Sequence, residues 1–597
     1  SEASALEFAP AQPAAGAQLA VTYRATPRFD GIDRLRLRAR WRRPGDPQYG
    51  RDIPVQEVAT LTREDGGTFR GSLALPEDVV YGVFAVEDEA GIIVDSRGQA
   101  GWDLLTWIDG LPSYDALVQQ TYEAIGRDLD AALRPITRAT ELYPSEAGAW
   151  YGRSGVELET LGAAAHDSLR AFHLGKVREL DLALRDRPAD SEDLESMYFY
   201  ASTWGATDIA DRWRARILSE APASAAGTQL RAHAVLRATE RNPRATLRSL
   251  EAVWLEAAQG RGVLAQLAFQ YARDLPDPSA AQLWASRWLE AEPWRCVDLA
   301  ERISRVPASS PSPSDVVVEC LAAEADALGG PDNNRRALFL SVESQRVVDA
   351  RRRREVLGVM GRVLLAAGKR DSGLALLDSA VAAGWNLGLI SELAEARLDA
   401  GDVRGGVELL ARLGVDPGYA EQDVTARGVE LVGPAEWERL VVLARQRMID
   451  ATRAEARPRA LPSGVTIRDT AGIARDLRAL VEGEVAVVAF FVPGCRACVR
   501  DLRRLGELAG RQGAQARVML VTRTVPSAED LALLRTEGVD LPVWIDDRGS
   551  VAEVLDSWGT AEYFVVDRRG VVQFAYSSLV DIPRQALALG REESPVA

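Results

Sequence analysis

At 597 residues the chain is too long for one hydrophobic core, and length alone points to roughly four domains. Apolar residues make up 47% and charged residues 26%, the balance of an ordinary globular protein. The formal charge of −16 excludes the basic surface that general nucleic-acid or anionic-membrane binding requires. No run reaches the roughly 18 consecutive apolar residues of a membrane span. All but two of the 71 basic residues are arginine, the exceptions being Lys176 and Lys369, and no mechanism follows from that skew. The chain opens on Ser1 rather than methionine, which points to a removed leader or tag. With four cysteines it is no disulfide scaffold. An extracytoplasmic location, periplasmic or cell-surface/secreted, is the expectation.

Residues 1–112 read as all-β. Segments 18–24, 35–41, 68–75 and 80–86 alternate apolar with polar residues, and Gly, Pro and Asp clusters at 43–47, 64–67 and 89–91 separate them. Short strands at this spacing predict a small immunoglobulin-like β-sandwich, serving as a binding module or as a spacer.

From 113 to 457 the pattern turns helical, broken by Pro and Gly. Leu365-Ala366-Ala367-Gly368 and Leu398-Asp399-Ala400-Gly401 repeat at an offset of 33 residues, with small residues at Ala367 and Ala400 and glycine in each turn. Further junctions are expected near Pro144 and Pro222. These segments resemble diverged tetratricopeptide (TPR) repeats, whose period is about 34. The resemblance implies an all-α solenoid that either docks a partner protein on its concave face or holds the two ends apart.

Several candidate sites in this stretch read as structural. His166 and His173 lie seven residues apart, and His233 is the only other histidine. A metal site wants three or four ligands, so packing or surface is the expectation and no metal is assigned. Cys296 and Cys320 flank a Pro- and Ser-rich break, and either form a structural disulfide or stay as two buried thiols. The segment around Lys369 lacks the glycine spacing and Ser/Thr of a phosphate-binding loop.

The segment 457–464 reads as a linker, and 458–597 alternates strands with helices. An apolar run from Val485 ends at Pro493-Gly494-Cys495-Arg496-Ala497-Cys498, after which Leu502, Leu505 and Leu508 line one side of a helix. A strand feeding a helix through Cys-x-x-Cys suits a redox dithiol. The helix N-terminus stabilises a thiolate at Cys495, Arg496 adds positive charge, and Cys498 sits one turn on. Further strands are expected at 516–522, 541–545, 563–566 and 571–574, with Ser527 capping a helix to about 537.

These residues, with Leu541-Pro542-Val543-Trp544 and the segment from Trp558 to Asp567 and Gly570, resemble the TlpA/ResA-type thioredoxin-like family. That resemblance implies an α/β thioredoxin fold, with Cys495 as attacking nucleophile and Cys498 as resolving thiol. It places Gly494, Arg496, Thr560 and Ala561 along the substrate groove. Four positions depart from the family. Its usual Trp before the first cysteine is Gly494, its buried acid is Ala489, and its helix proline is Arg503. Its cis-proline is Ala561, and because a non-proline cis bond costs about 3 kcal/mol the Thr560–Ala561 bond is expected to be trans. The function implied is an exported thiol–disulfide oxidoreductase acting on protein thiols or disulfides, needing no cofactor. The alternative is a non-enzymatic interaction or assembly protein carrying a degenerate thioredoxin fold.

Overall fold

The structure is a computed structural model that describes residues 5–46, 53–64, 66–97, 100–125, 129–161, 166–239, 242–273, 275, 278–304, 314–329, 336–417, 419, 424–493, 495–509, 516–557 and 562–590. It runs from a sheet-rich region through a long helical region to a second sheet flanked by helices. Among the described residues no helix is long and apolar enough to cross a membrane.

The first region holds β1 (Ala5–Ala9), β2 (Gln18–Arg24), β3 (Arg34–Arg42), β4 (Val55–Arg63), β5 (Thr68–Ala74), β6 (Tyr81–Asp88), β7 (Val94–Asp95) and β8 (Trp102–Leu105). They pair in the order β1-β2-β5-β4-β3-β6-β7, with β8 also on β6. β4 and β5 share only two pairs, Thr62 with Arg70 and Arg63 with Phe69. Five strand spacings separate β2 from β8, about 24 Å in a flat sheet. The rings of Tyr23 on β2 and Trp102 on β8 nevertheless lie 5.9 Å apart. The sheet is therefore folded over its own core, which Leu37, Trp41, Phe69 and Phe84 share. A small ladder of β9 (Trp107–Ile108) and β10 (Leu111–Pro112) closes the region.

Helices follow from Tyr114–Ile125 to Pro434–Glu455, anchored by buried tryptophans that include Trp204, Trp213, Trp284, Trp288 and Trp385. The breaks near Pro144 and Pro222 fall where the sequence places them, after helices ending at Leu142 and Glu220. The 33-residue repeat is reproduced bond for bond. Between Val342–Ala366 and Arg370–Ala382 the Lys369 N–H donates to Leu364 O (2.9 Å), and between Leu387–Asp399 and Val403–Gly414 the Asp402 N–H donates to Arg397 O (2.9 Å). Gly368 and Gly401 hold φ of +75° and +84° there, a conformation that strains any residue with a Cβ. A Cβ at Gly373 would come within 2.8 Å of Leu365, and one at Gly406 within 2.5 Å of Leu398. The same turn recurs at Gly205, where the Ala206 N–H donates to Ala201 O (2.9 Å), a copy the sequence alone did not disclose.

The structure joins Cys296, which opens the helix Cys296–Ser304, to Cys320 in the helix Ser314–Gly329, with Cα atoms 6.0 Å apart. Closing a loop of this length removes unfolded-state entropy, so Cys320→Ser is expected to destabilise the helical region by about 3 kcal/mol in urea unfolding. Equal midpoints for variant and parent would contradict it.

The third region contains β11 (Arg459–Ala460), β12 (Thr466–Asp469), β13 (Ala474–Asp476), β14 (Ala486–Phe490), β15 (Arg517–Thr522), β16 (Val543–Ile545), β17 (Glu562–Val566) and β18 (Val571–Ser577). The sheet order is β11-β18-β17-β14-β15-β16-β12-β13, with β14, β15 and β16 parallel and β17 antiparallel to β14. Alternate residues of β14 face opposite layers. Val487 and Ala489 join a core with Val499, Leu502 and Leu505 of the helix Arg496–Ala509. Ala486, Val488 and Phe490 join another with Val551 and Leu555 of the helix Ser550–Leu555. The continuous apolar run is what a strand buried on both faces requires. Ser527 caps the helix Ala528–Thr536 through a capping box, as its sequence predicts.

The three regions meet around residues 336–344. Arg336 forms an ion pair of 2.5 Å with Glu87 of β6, and the Val342 N–H donates to Gly91 O (2.9 Å). Ser341 caps the helix Val342–Ala366, and its hydroxyl also donates to Asp556 of the third region (2.8 Å). Arg28 of the first region pairs with Glu553 of the third. Burial, then the nearby Asp95, push the Glu553 carboxyl from 4.5 up to about 7 despite Arg28. The folded state thus holds this proton more tightly than the unfolded one, so stability falls as pH rises from about 4.5 to about 7. The melting temperature of the parent is expected to drop relative to Glu553→Gln between pH 5 and 8. Parallel pH profiles would contradict it.

Candidate redox site

β14 runs into the dithiol at the carboxyl end of the parallel strands. The Phe491 N–H still pairs with Val521 O (3.0 Å), after which the chain leaves the sheet. The Cys495 N–H donates to Val492 O (3.2 Å), and its carbonyl accepts the Val499 N–H (3.1 Å), so Cys495 occupies the capping position of the helix Arg496–Ala509. Its sulfur accepts the Cys498 N–H at 3.2 Å, the bond a capping oxygen would otherwise take. When reduced, a thiolate there meets both a free donor and the positive end of the helix. Cys495 is half-buried and Cys498 is 9% exposed, their Cα atoms are 5.3 Å apart, and they are joined as a disulfide.

Gly494, Thr560 and Ala561 lie outside the described residues. Arg496 opens the helix, and its side chain also lies outside them. Ala489 is fully buried directly across from Tyr563, so a methyl group faces the phenol there. Arg503 is exposed and interacts with Glu507 (4.0 Å) and Glu537 (3.7 Å) along the solvent face of the helix. Tyr563 and Asp501 were not singled out from sequence. Burial, and then the Asp501 carboxylate, push the Tyr563 phenol up to about 12. Only the β14–β17 register reveals that Tyr563 faces the dithiol helix.

His166 and His173 both lie against the Trp204 ring, with centroids 6.0 Å and 4.5 Å from it. His173 is buried, its ring nitrogens 2.6 Å from the Tyr200 hydroxyl and 2.8 Å from Glu157, and it stacks on Trp204 at 4.5 Å. His166 and His233 are exposed. His173 thus packs as its sequence context suggests. Cys296 and Cys320 lie in the helical region, outside the core that holds the Cys495 pair.

No protein-family model matches the chain, and no curated protein matches it. Solved structures do. Peroxidoxin BcpB from Mycobacterium tuberculosis is 16% identical, with 24% of this chain and 99% of that chain covered and a TM-score of 0.19. A thioredoxin-like protein from Bacteroides caccae is 11% identical over 52% of this chain and 93% of its own, with a TM-score of 0.20. The TPR domain of P58(IPK) is 15% identical over 55% and 99%, with a TM-score of 0.14. At these scores, function is read from the chain's own geometry.

Proposed function

We propose that the chain is an extracytoplasmic thiol–disulfide oxidoreductase with a thioredoxin-like domain at 458–597. In this reading a TPR-like solenoid at 113–457 docks a partner protein, and an immunoglobulin-like sandwich occupies 1–112. The observation that carries it is the capping position of Cys495, whose sulfur already accepts a helix N–H. The Cys495 thiolate attacks one sulfur of a protein disulfide, forming a mixed disulfide and releasing the other sulfur as a thiolate. The Cys498 thiolate then attacks Cys495, forming the Cys495–Cys498 bond and expelling the second substrate thiolate. Run in reverse, the same steps transfer the disulfide to a substrate dithiol.

The reading as an assembly protein draws its support from Ala489, which cannot relay a proton. Insulin reduction with dithiothreitol as electron donor separates the two. The oxidoreductase reading expects turnover by the parent and a rate at the uncatalysed background for Cys495→Ser. Equal rates for both proteins would leave the assembly reading standing.

A further inference from the structure

Ala489 and Tyr563 are direct partners in the antiparallel pair β14–β17, so their side chains share one face of the sheet. That face is covered by the dithiol helix: Ala489 at 0% exposure and Tyr563 at 5% belong to one core with Cys498, Val499 and Leu502, against which Cys495 also rests. A methyl opposite a phenol leaves room for the ring to lie beneath the first turns of that helix. Cys498 and Asp501 are one turn apart on it, on one side. The Tyr563 hydroxyl has no hydrogen-bond partner among the described residues and is not one of their enclosed polar atoms, so it is free to take a new one.

We propose that Tyr563 is a positioning residue for the dithiol, its hydroxyl donating a hydrogen bond to the Cys498 thiolate that forms on reduction. This deepens the redox reading and rests on it. Cys498 is the more buried thiol and has the greater need of a donor, because desolvation disfavours its charged form. A phenol acts differently from a carboxylate base: it takes up no proton from Cys498 and lowers the cost of the thiolate instead. Tyr563 keeps its own proton at neutral pH, since burial and Asp501 both hold it on the oxygen. Charged groups on the other packed elements are turned elsewhere. Glu562 of β17 accepts the Ser557 hydroxyl (2.6 Å), and Arg584 of the helix Ile582–Gly590 pairs with Glu455 (3.0 Å) and Asp581 (3.2 Å).

The test isolates Cys498 in Cys495→Ser and follows its alkylation by iodoacetamide against pH, with and without Tyr563→Phe. Losing a hydrogen bond to a charged group is expected to raise the Cys498 pKa by about one to two units. Resolution of a mixed disulfide in the two-cysteine protein is expected to slow about three- to tenfold at pH 7, because a higher pKa also makes the remaining thiolate more nucleophilic. Site-specific fluorotyrosine at 563, a more acidic phenol of similar size, is expected to shift the pKa the opposite way. A Cys498 profile unmoved by both changes would overturn the proposal, even if the melting temperature falls. Loss of insulin reduction in Cys495→Ser with no effect at Tyr563 would leave the redox reading intact and reject only this part of it.

Discussion

Glu87→Ala is expected to destabilise the protein by about 3–5 kcal/mol, the cost of stranding buried cations. Glu87 is 1% exposed and sits among Arg36 (2.9 Å), Arg336 (2.5 Å) and Arg38 (3.5 Å). Arg38 and Arg336 are themselves only 4% and 3% exposed, and burial already pushes the Arg38 guanidinium down to about 10. Without the carboxylate, two positive charges remain in a dry junction. Since Arg336 belongs to the helical region and Glu87 to the first sheet, the loss is expected in a separate early transition. Urea unfolding followed by tryptophan fluorescence checks it. A single transition at the parental midpoint would contradict it.

Arg584→Ala is expected to cost a similar amount, about 3–5 kcal/mol, at the opposite junction. This side chain is 1% exposed and donates to Thr452 Oγ1 (2.9 Å), Glu455 (3.0 Å), Asp581 (3.2 Å) and Trp385 O (3.3 Å). It fastens the closing helix to the helix Pro434–Glu455 and to the turn at Trp385, whose N–H also binds Glu455 (2.8 Å). Truncation leaves two carboxylates without their shared cation. Removing the exposed pair Arg439–Glu436 is expected to leave the same transition in place, because solvent screens it. If both changes moved the midpoint equally, burial would not be the deciding factor.

Much of the architecture is local and therefore legible. Alternation marks β2 and β3, the both-faces-apolar run marks β14, and glycines 33 residues apart mark one helix turn twice. The short polar strands β11, β12 and β13 escape such reading, because Arg459–Ala460 or Thr466–Asp469 carries too few apolar residues to show a period. The third copy of the turn at Gly205 escapes as well, its neighbouring residues having diverged. Junction chemistry is illegible for a different reason. Arg336 and Glu87 are 249 residues apart, and nothing local separates a buried arginine from the many exposed ones. At the site, the cysteines announce themselves by spacing, while Tyr563 becomes visible only through its cross-strand partner.

As a redox dithiol, Cys495 and Cys498 are expected to exchange electrons reversibly. Equilibration across a series of reduced-to-oxidised dithiothreitol ratios, followed by acid quench, alkylation and mass spectrometry of the peptides, measures this directly. One two-electron transition is expected at Cys495–Cys498, with Cys495 the faster to alkylate once reduced. A Cys495–Cys498 bond that stays closed throughout the series, in folded protein, would contradict it.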